Sequence, residues 1–121
     1  MKINLRSTLS SVARTKVRAT LGMSNLTGTQ TGLGDIVVWV STKGNSRHGP
    51  RIKMSSIKGK VSDANLFSMD IPTGLIRGPT NFSVLEIARI LEWIRMNETV
   101  LLQYWSGTMS TQDMMENITK I

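Results

Sequence analysis

Apolar residues recur along this chain at two spacings, roughly helical at both ends and close to two in the middle, and the pattern predicts a helix, several strands and then more helices. Leu9, Val12, Ala13, Val17 and Leu21 predict a short helix over 8–21 that ends at Gly22, the residue type favoured just past a helix terminus. Arg14 and Arg18 fall one turn apart on its polar side, and Ser10, Ser11 and Thr15 weaken it. Residues 24–34, SNLTGTQTGLG, have no periodicity and read as a Gly/Thr-rich connector. A glycine-assisted phosphate cradle is the rival there, but the Lys-Ser/Thr ending of a P-loop and the spacing of a dinucleotide fingerprint are both missing.

The middle of the chain switches period. DIVVWVST, residues 35–42, is β-branched, aromatic and apolar on both faces, as a central strand would be. KGNSRHGP, residues 43–50, is dense in turn-formers. RIKMS, residues 51–55, sets Arg51, Lys53 and Ser55 on one face and Ile52 and Met54 on the other. Residues 57–60 read as a turn leading to another strand, and NLFSMDI, residues 65–71, as a further strand; Pro72, Gly74, Gly78 and Pro79 then mark an irregular stretch.

Ser83 with Glu86 three residues on forms a capping box, and Phe82 stands at the staple position before it. A helix from 84 to about 96 follows, with a break at Met96-Asn97, a second segment over 98–106 and a last helix over 111–119 opened by Ser110 and Asp113. The expected fold is α+β: a small antiparallel sheet of three to five strands packed against a C-terminal helical segment, with a short N-terminal helix. Length predicts one domain over 1–121, with 1–34 a basic helix and connector and 35–121 the α+β core.

Composition narrows the function classes. Apolar residues make up 40% of the chain, enough for a packed core, yet no apolar run approaches the roughly 18–20 residues of a membrane span. The polar opening lacks the apolar centre of a secretion signal, although Arg6, Arg14, Lys16 and Arg18 without acidic company also suit a basic transit peptide. Absence of cysteine excludes disulfides and Cys-ligated metal, and a single histidine, His48, excludes a multi-histidine site. No cofactor is expected, and a reducing compartment, the cytoplasm, is.

Charge is uneven. Residues 1–62 carry eleven Lys/Arg against Asp35 alone, whereas residues 63–121 carry four against seven acids. One positive face follows, of the kind that attracts nucleic acid, nucleotides or other anions, unless these cations are ordinary solvated surface. The densest cluster is Arg47, His48, Arg51 and Lys53, followed by Lys58 and Lys60. Arginine offers a planar donor fork matched to phosphate oxygens and lysine a mobile charge, with Asn45, Ser46 and loop amides as neutral donors. The competing explanation is an edge strand shielded from aggregation by its charges. His48 as a general base would need an orienting carboxylate; none adjoins it in sequence, and Asp35, Asp63 and Asp70 are the acids that folding could bring near. Binding without catalysis is therefore the expectation, with a small hydrolase or nuclease around His48 as an alternative. Trp39, Trp93 and Trp105 could stack on bases, but Trp93 and Trp105 stand among apolar helical residues and read as core.

Residues 35–106 resemble a family of small uncharacterised bacterial and phage proteins. The motifs that carry the resemblance are Arg47–Lys53, a loop and strand of the HGPRIK type, and Leu91–Trp105, a helix of the LEWIRMNETVLLQYW type. A related group of domains carries two histidines flanking the loop proline, where this chain has only His48. The resemblance implies a role of the kind that small basic phage proteins often have, as inhibitors or ligand-sequestering factors against host defence. From the charge pattern, the expected partner is an anionic ligand, nucleotide or nucleic acid, or an acidic protein.

The helical segment 84–105 carries more apolar residues than one sheet can bury: Ile87, Leu91, Ile94, Leu101 and Trp105, and also Val84, Ile90, Trp93, Leu102 and Tyr104. The surplus is expected either beneath the N-terminal helix, under Leu9, Val12 and Val17, or in a homodimer contact.

Overall fold

A computed structural model describes residues 23–56 and 65–121. The expected helix over 8–21 and the turn at 57–60, with Lys58 and Lys60, lie outside the described residues.

Five strands, β1 (Met23–Leu26), β2 (Val38–Ser41), β3 (Arg51–Ser55), β4 (Leu66–Asp70) and β5 (Ile76–Arg77), form one antiparallel sheet whose spatial order is the chain order. A single-turn helix, α1 (Gly28–Thr31), joins β1 to β2, and three helices follow the sheet: α2 (Val84–Met96), α3 (Glu98–Trp105) and α4 (Thr111–Asn117). The fold is α+β, as the sequence predicts.

Period-two alternation divides the sheet into two faces. Leu26, Val38, Val40, Ile52, Met54, Phe67 and Met69 point to one side and are buried in a single cluster with Ile90, Trp93 and Ile94 of α2, Leu101 and Tyr104 of α3 and Met114 of α4. The helices therefore cover this face. Ser24 is its polar member at the β1 edge, and its hydroxyl lies 3.1 Å from the Tyr104 hydroxyl. The opposite face collects Asn25, Trp39, Lys53, Ser68 and Arg77 in one cross-strand row, and Arg51 and Asp70 in the next.

The capping box at Ser83 is formed: Glu86 N–H donates to Ser83 Oγ at 3.1 Å, and Ser83 N–H to Glu86 Oε1 at 2.8 Å. The break after Met96 is also real, and Asn97 builds it. Its buried amide donates to the carbonyls of Trp93 and Thr119, both at 3.0 Å, and its Oδ1 accepts from Thr119 N–H at 2.6 Å. One side chain thus ends α2 and docks the C-terminal tail.

Three sequence expectations change. Residues 24–34 are not a connector: they supply β1 and α1, and Leu26, Thr31 and Leu33 are buried. The boundary at 35 therefore falls inside the sheet-forming region, whose first strand begins at Met23. Glycine explains why no periodicity marks this piece, since a Cβ on Gly28 would overlap the Gly34 carbonyl oxygen and two backbone segments cross there. The irregular stretch 72–79 holds the short strand β5. And β3 is the third of five strands, so its charges do not protect an edge.

Candidate functional site

The basic loop and strand are held by backbone first. Lys43 N–H donates to the Trp105 carbonyl at 2.7 Å, tying the start of loop 43–50 to the end of α3, and Ile71 N–H donates to the Pro50 carbonyl at 3.0 Å, extending the β3–β4 ladder past Arg51. Ser46 N–H is spent on the Lys43 carbonyl at 2.8 Å, closing a turn. Between these anchors His48 packs against Trp105, with ring centroids 5.5 Å apart and planes at 35°. Its Nδ1–H donates to the Gly49 carbonyl at 2.8 Å, which leaves Nε2 as the nitrogen available to a ligand.

Arg51 and Lys53 stand on the face opposite Ile52 and Met54, as the alternation predicts; both are half-buried, whereas Ile52 and Met54 are fully enclosed. Lys53 pairs in register with Trp39 on one side and Ser68 on the other. Arg51 stands opposite Asp70. The Asp70 carboxylate, however, is held by Arg77: Nε donates to Oδ1 at 3.0 Å and Nη2 to Oδ2 at 2.9 Å, a two-bond fork. These bonds hold the Asp70 carboxyl below its usual range; partial burial opposes them, and the charges of Arg77, Arg51 and His48 act with them. The same fork raises Arg77 further.

The consequence falls on Arg51. Its Nε is shielded from solvent and has no hydrogen-bond acceptor among the described residues. A buried guanidinium nitrogen without an acceptor is uncommon, because leaving a charged donor unpaired costs about 1–3 kcal/mol or more. Around it stand Arg77, His48 and, along the strand, Lys53; the carboxylate in the cluster is engaged by Arg77. Such an arrangement can accept an anion with at least two oxygens, one for the Arg51 fork and one for Lys53 or His48.

Of the residues singled out in sequence, the structure brings Arg51, Lys53 and His48 to one region, and Arg47 is exposed on the loop beside His48. Of the three acids that folding could bring near His48, Asp70 is the one whose carboxyl feels its charge; Arg77, which engages that carboxylate, was missed. Asp70 was legible in principle, since Leu66, Ser68 and Asp70 share a period-two face, but Arg77 sits among glycines and prolines and joins the cluster only through β5 pairing. Trp39, Trp93 and Trp105 are all buried, and Trp105 carries the ring contact with His48. No group of three or more potential metal ligands occurs among the described residues, and no helix of the described residues is long and apolar enough to cross a membrane.

Compared with protein-family models, with curated proteins and with solved structures, the chain matches none. The class that fold and site define is a small α+β protein with Arg51, Lys53 and Arg77 on the sheet face opposite its helices.

Proposed function

We propose that this protein binds a phosphate-bearing anion, a nucleotide or a nucleic acid, without transforming it, in the manner of a sequestering protein. Arg51 and Lys53 grip the phosphate, Arg47 and His48 Nε2 approach from the loop, and the Asp70–Arg77 fork keeps the carboxylate from competing. The observation that carries this reading is the buried, acceptor-less Nε of Arg51 on the central strand. Lys58 and Lys60 join through the sequence alone, as further cations following the same strand.

Thermal stabilisation by a panel of inorganic phosphate, nucleotides and short oligonucleotides tests it. A ligand that binds only the folded protein stabilises it by about 2.7 kcal/mol at roughly 100 times its dissociation constant. Replacing Arg51 and Lys53 together with alanine is expected to abolish the shift and leave the fold intact. Unfolding of that variant, or an unchanged shift, sinks the site. A panel without any shift points instead to an acidic protein as the partner of the same face.

A hydrolytic reading has one observation in its favour, the nearness of the Asp70 carboxylate to His48. Against it, that carboxylate is engaged by Arg77 and the His48 Nδ1–H by Gly49. His48→Ala is expected to weaken binding by about one hydrogen bond, near 1 kcal/mol. Cleavage of a nucleotide or nucleic acid that this change eliminates would replace binding with catalysis.

A further inference from the structure

Most of the apolar surplus in the helical segment is buried within the chain, but one part of it is not. Val84 and Leu85, at the start of α2, are 84% and 82% exposed. One turn on, the same side of the helix becomes a shallow open groove of about 570 Å³, lined by Ala88, Leu91, Glu92, Arg95 and Met96. At about 100° per residue these positions share one face with Ala88 at its middle, opposite the buried face of Ile90, Trp93 and Ile94. Gly74 borders it: its φ of +78° and its closeness to Leu91 leave no room for a side chain, which seats the β4–β5 turn on the helix.

We propose that this face docks a second copy of the chain, with the two α2 helices antiparallel across a two-fold axis near Ala88. The surface is complementary to its own inverse. It carries two apolar knobs at the N-terminal end and a groove at the C-terminal end, so an antiparallel copy offers groove against knobs and knobs against groove, as an isologous contact requires. The small Ala88 side chain at the crossing lets the helix axes approach to about 8 Å. The charges agree with the order. Glu92 and Arg95 make no hydrogen bond or ion pair among the described residues. In the antiparallel pair Glu92 reaches the first turn of the partner helix, where unpaired backbone N–H groups and the helix dipole favour a carboxylate. This contact is independent of the anion site, which lies on the far face of the sheet.

The absence of cysteine supplies the experiment. A disulfide between symmetry-related copies of one residue needs Cβ atoms about 3.5–4.5 Å apart, which only a residue near the two-fold axis can offer. Under mild oxidation Ala88→Cys is expected to run as a covalent dimer, and Gln112→Cys, exposed on α4, as a monomer. In sedimentation across the micromolar range, the unmodified chain is expected to rise from one chain mass to two. Leu85→Lys, at a position 82% exposed in its own chain, is expected to stay at one with an unchanged melting temperature. A single chain mass throughout overturns the proposal, and so does equal cross-linking of the two cysteine variants. If Leu85→Lys then lowers the melting temperature of a monomer, the occupant of the groove is residues 1–22 of the same chain rather than a second copy.

Discussion

Strand β3 and helix α2 break the ordinary rule of residue placement in opposite senses. On β3, the central strand, two cations stand half-buried where a sheet usually carries neutral side chains; on the first turn of α2, valine and leucine stand in water where charged residues would be expected. Each element obeys the rule on its other side. Ile52 and Met54 of β3 and Ile90, Trp93 and Ile94 of α2 meet in the same core. The difference teaches that both elements are fixed by one face and free to carry other properties on the second: cations on β3 and exposed apolar side chains on α2. Departures of this kind are what a contact outside the chain would use, and the anion site and the helix pairing proposed above each draw on one of them.

That comparison can be broken most forcefully at the shared core. Ile52→Ala leaves a cavity beneath Met69 and is expected to cost about 2–5 kcal/mol, whereas Arg51→Ala, one residue away, changes ligand binding far more than unfolding free energy. Urea denaturation of the two variants checks the contrast, and equal losses would mean that the outward face of β3 is structural. A smaller effect is expected at Asn97, whose three side-chain hydrogen bonds join the last turn of α2 to the tail. Asn97→Ala is expected to cost about 1–3 kcal/mol without moving anion affinity, measured by the same denaturation and by titration with phosphate.

The smallest effect belongs to Asp70. Its folded-state carboxyl lies below the unfolded value, so the Arg77 fork contributes stability above the unfolded pKa of about 3.9, and that contribution is lost as pH falls through the folded value. A slight extra fall in melting temperature on acidification is expected in the wild-type chain and not in Asp70→Asn. At neutral pH the same substitution removes the carboxylate among the cations and is expected to tighten phosphate binding. Weaker binding would show that the fork positions Arg51 rather than clearing its surroundings.

The strands and helices with a plain period were legible in the sequence. RIKMS forms a strand over its full predicted length because alternation is complete, and α2 starts at the predicted residue because Ser83 and Glu86 satisfy each other's backbone partners. What escaped was set by neighbours distant in the chain. Met23–Leu26 is a strand because β2 pairs with it, and Ile76-Arg77 because β4 does; neither is long enough to show a period of its own. For the candidate site, sequence named Arg47, His48, Arg51 and Lys53, while the Asp70–Arg77 fork beside an Arg51 Nε that has no acceptor among the described residues depended on β4–β5 register.

The meander order of the sheet has a consequence for how the chain folds. Every strand pairs with the strand before it in sequence, so no pairing waits for distant segments to meet. Low contact order of this kind speeds folding, and single hairpins close in about 1–10 μs. It also makes the connections forgiving: doubling the length of a loop between neighbouring strands adds only about 0.6 kcal/mol of closure entropy.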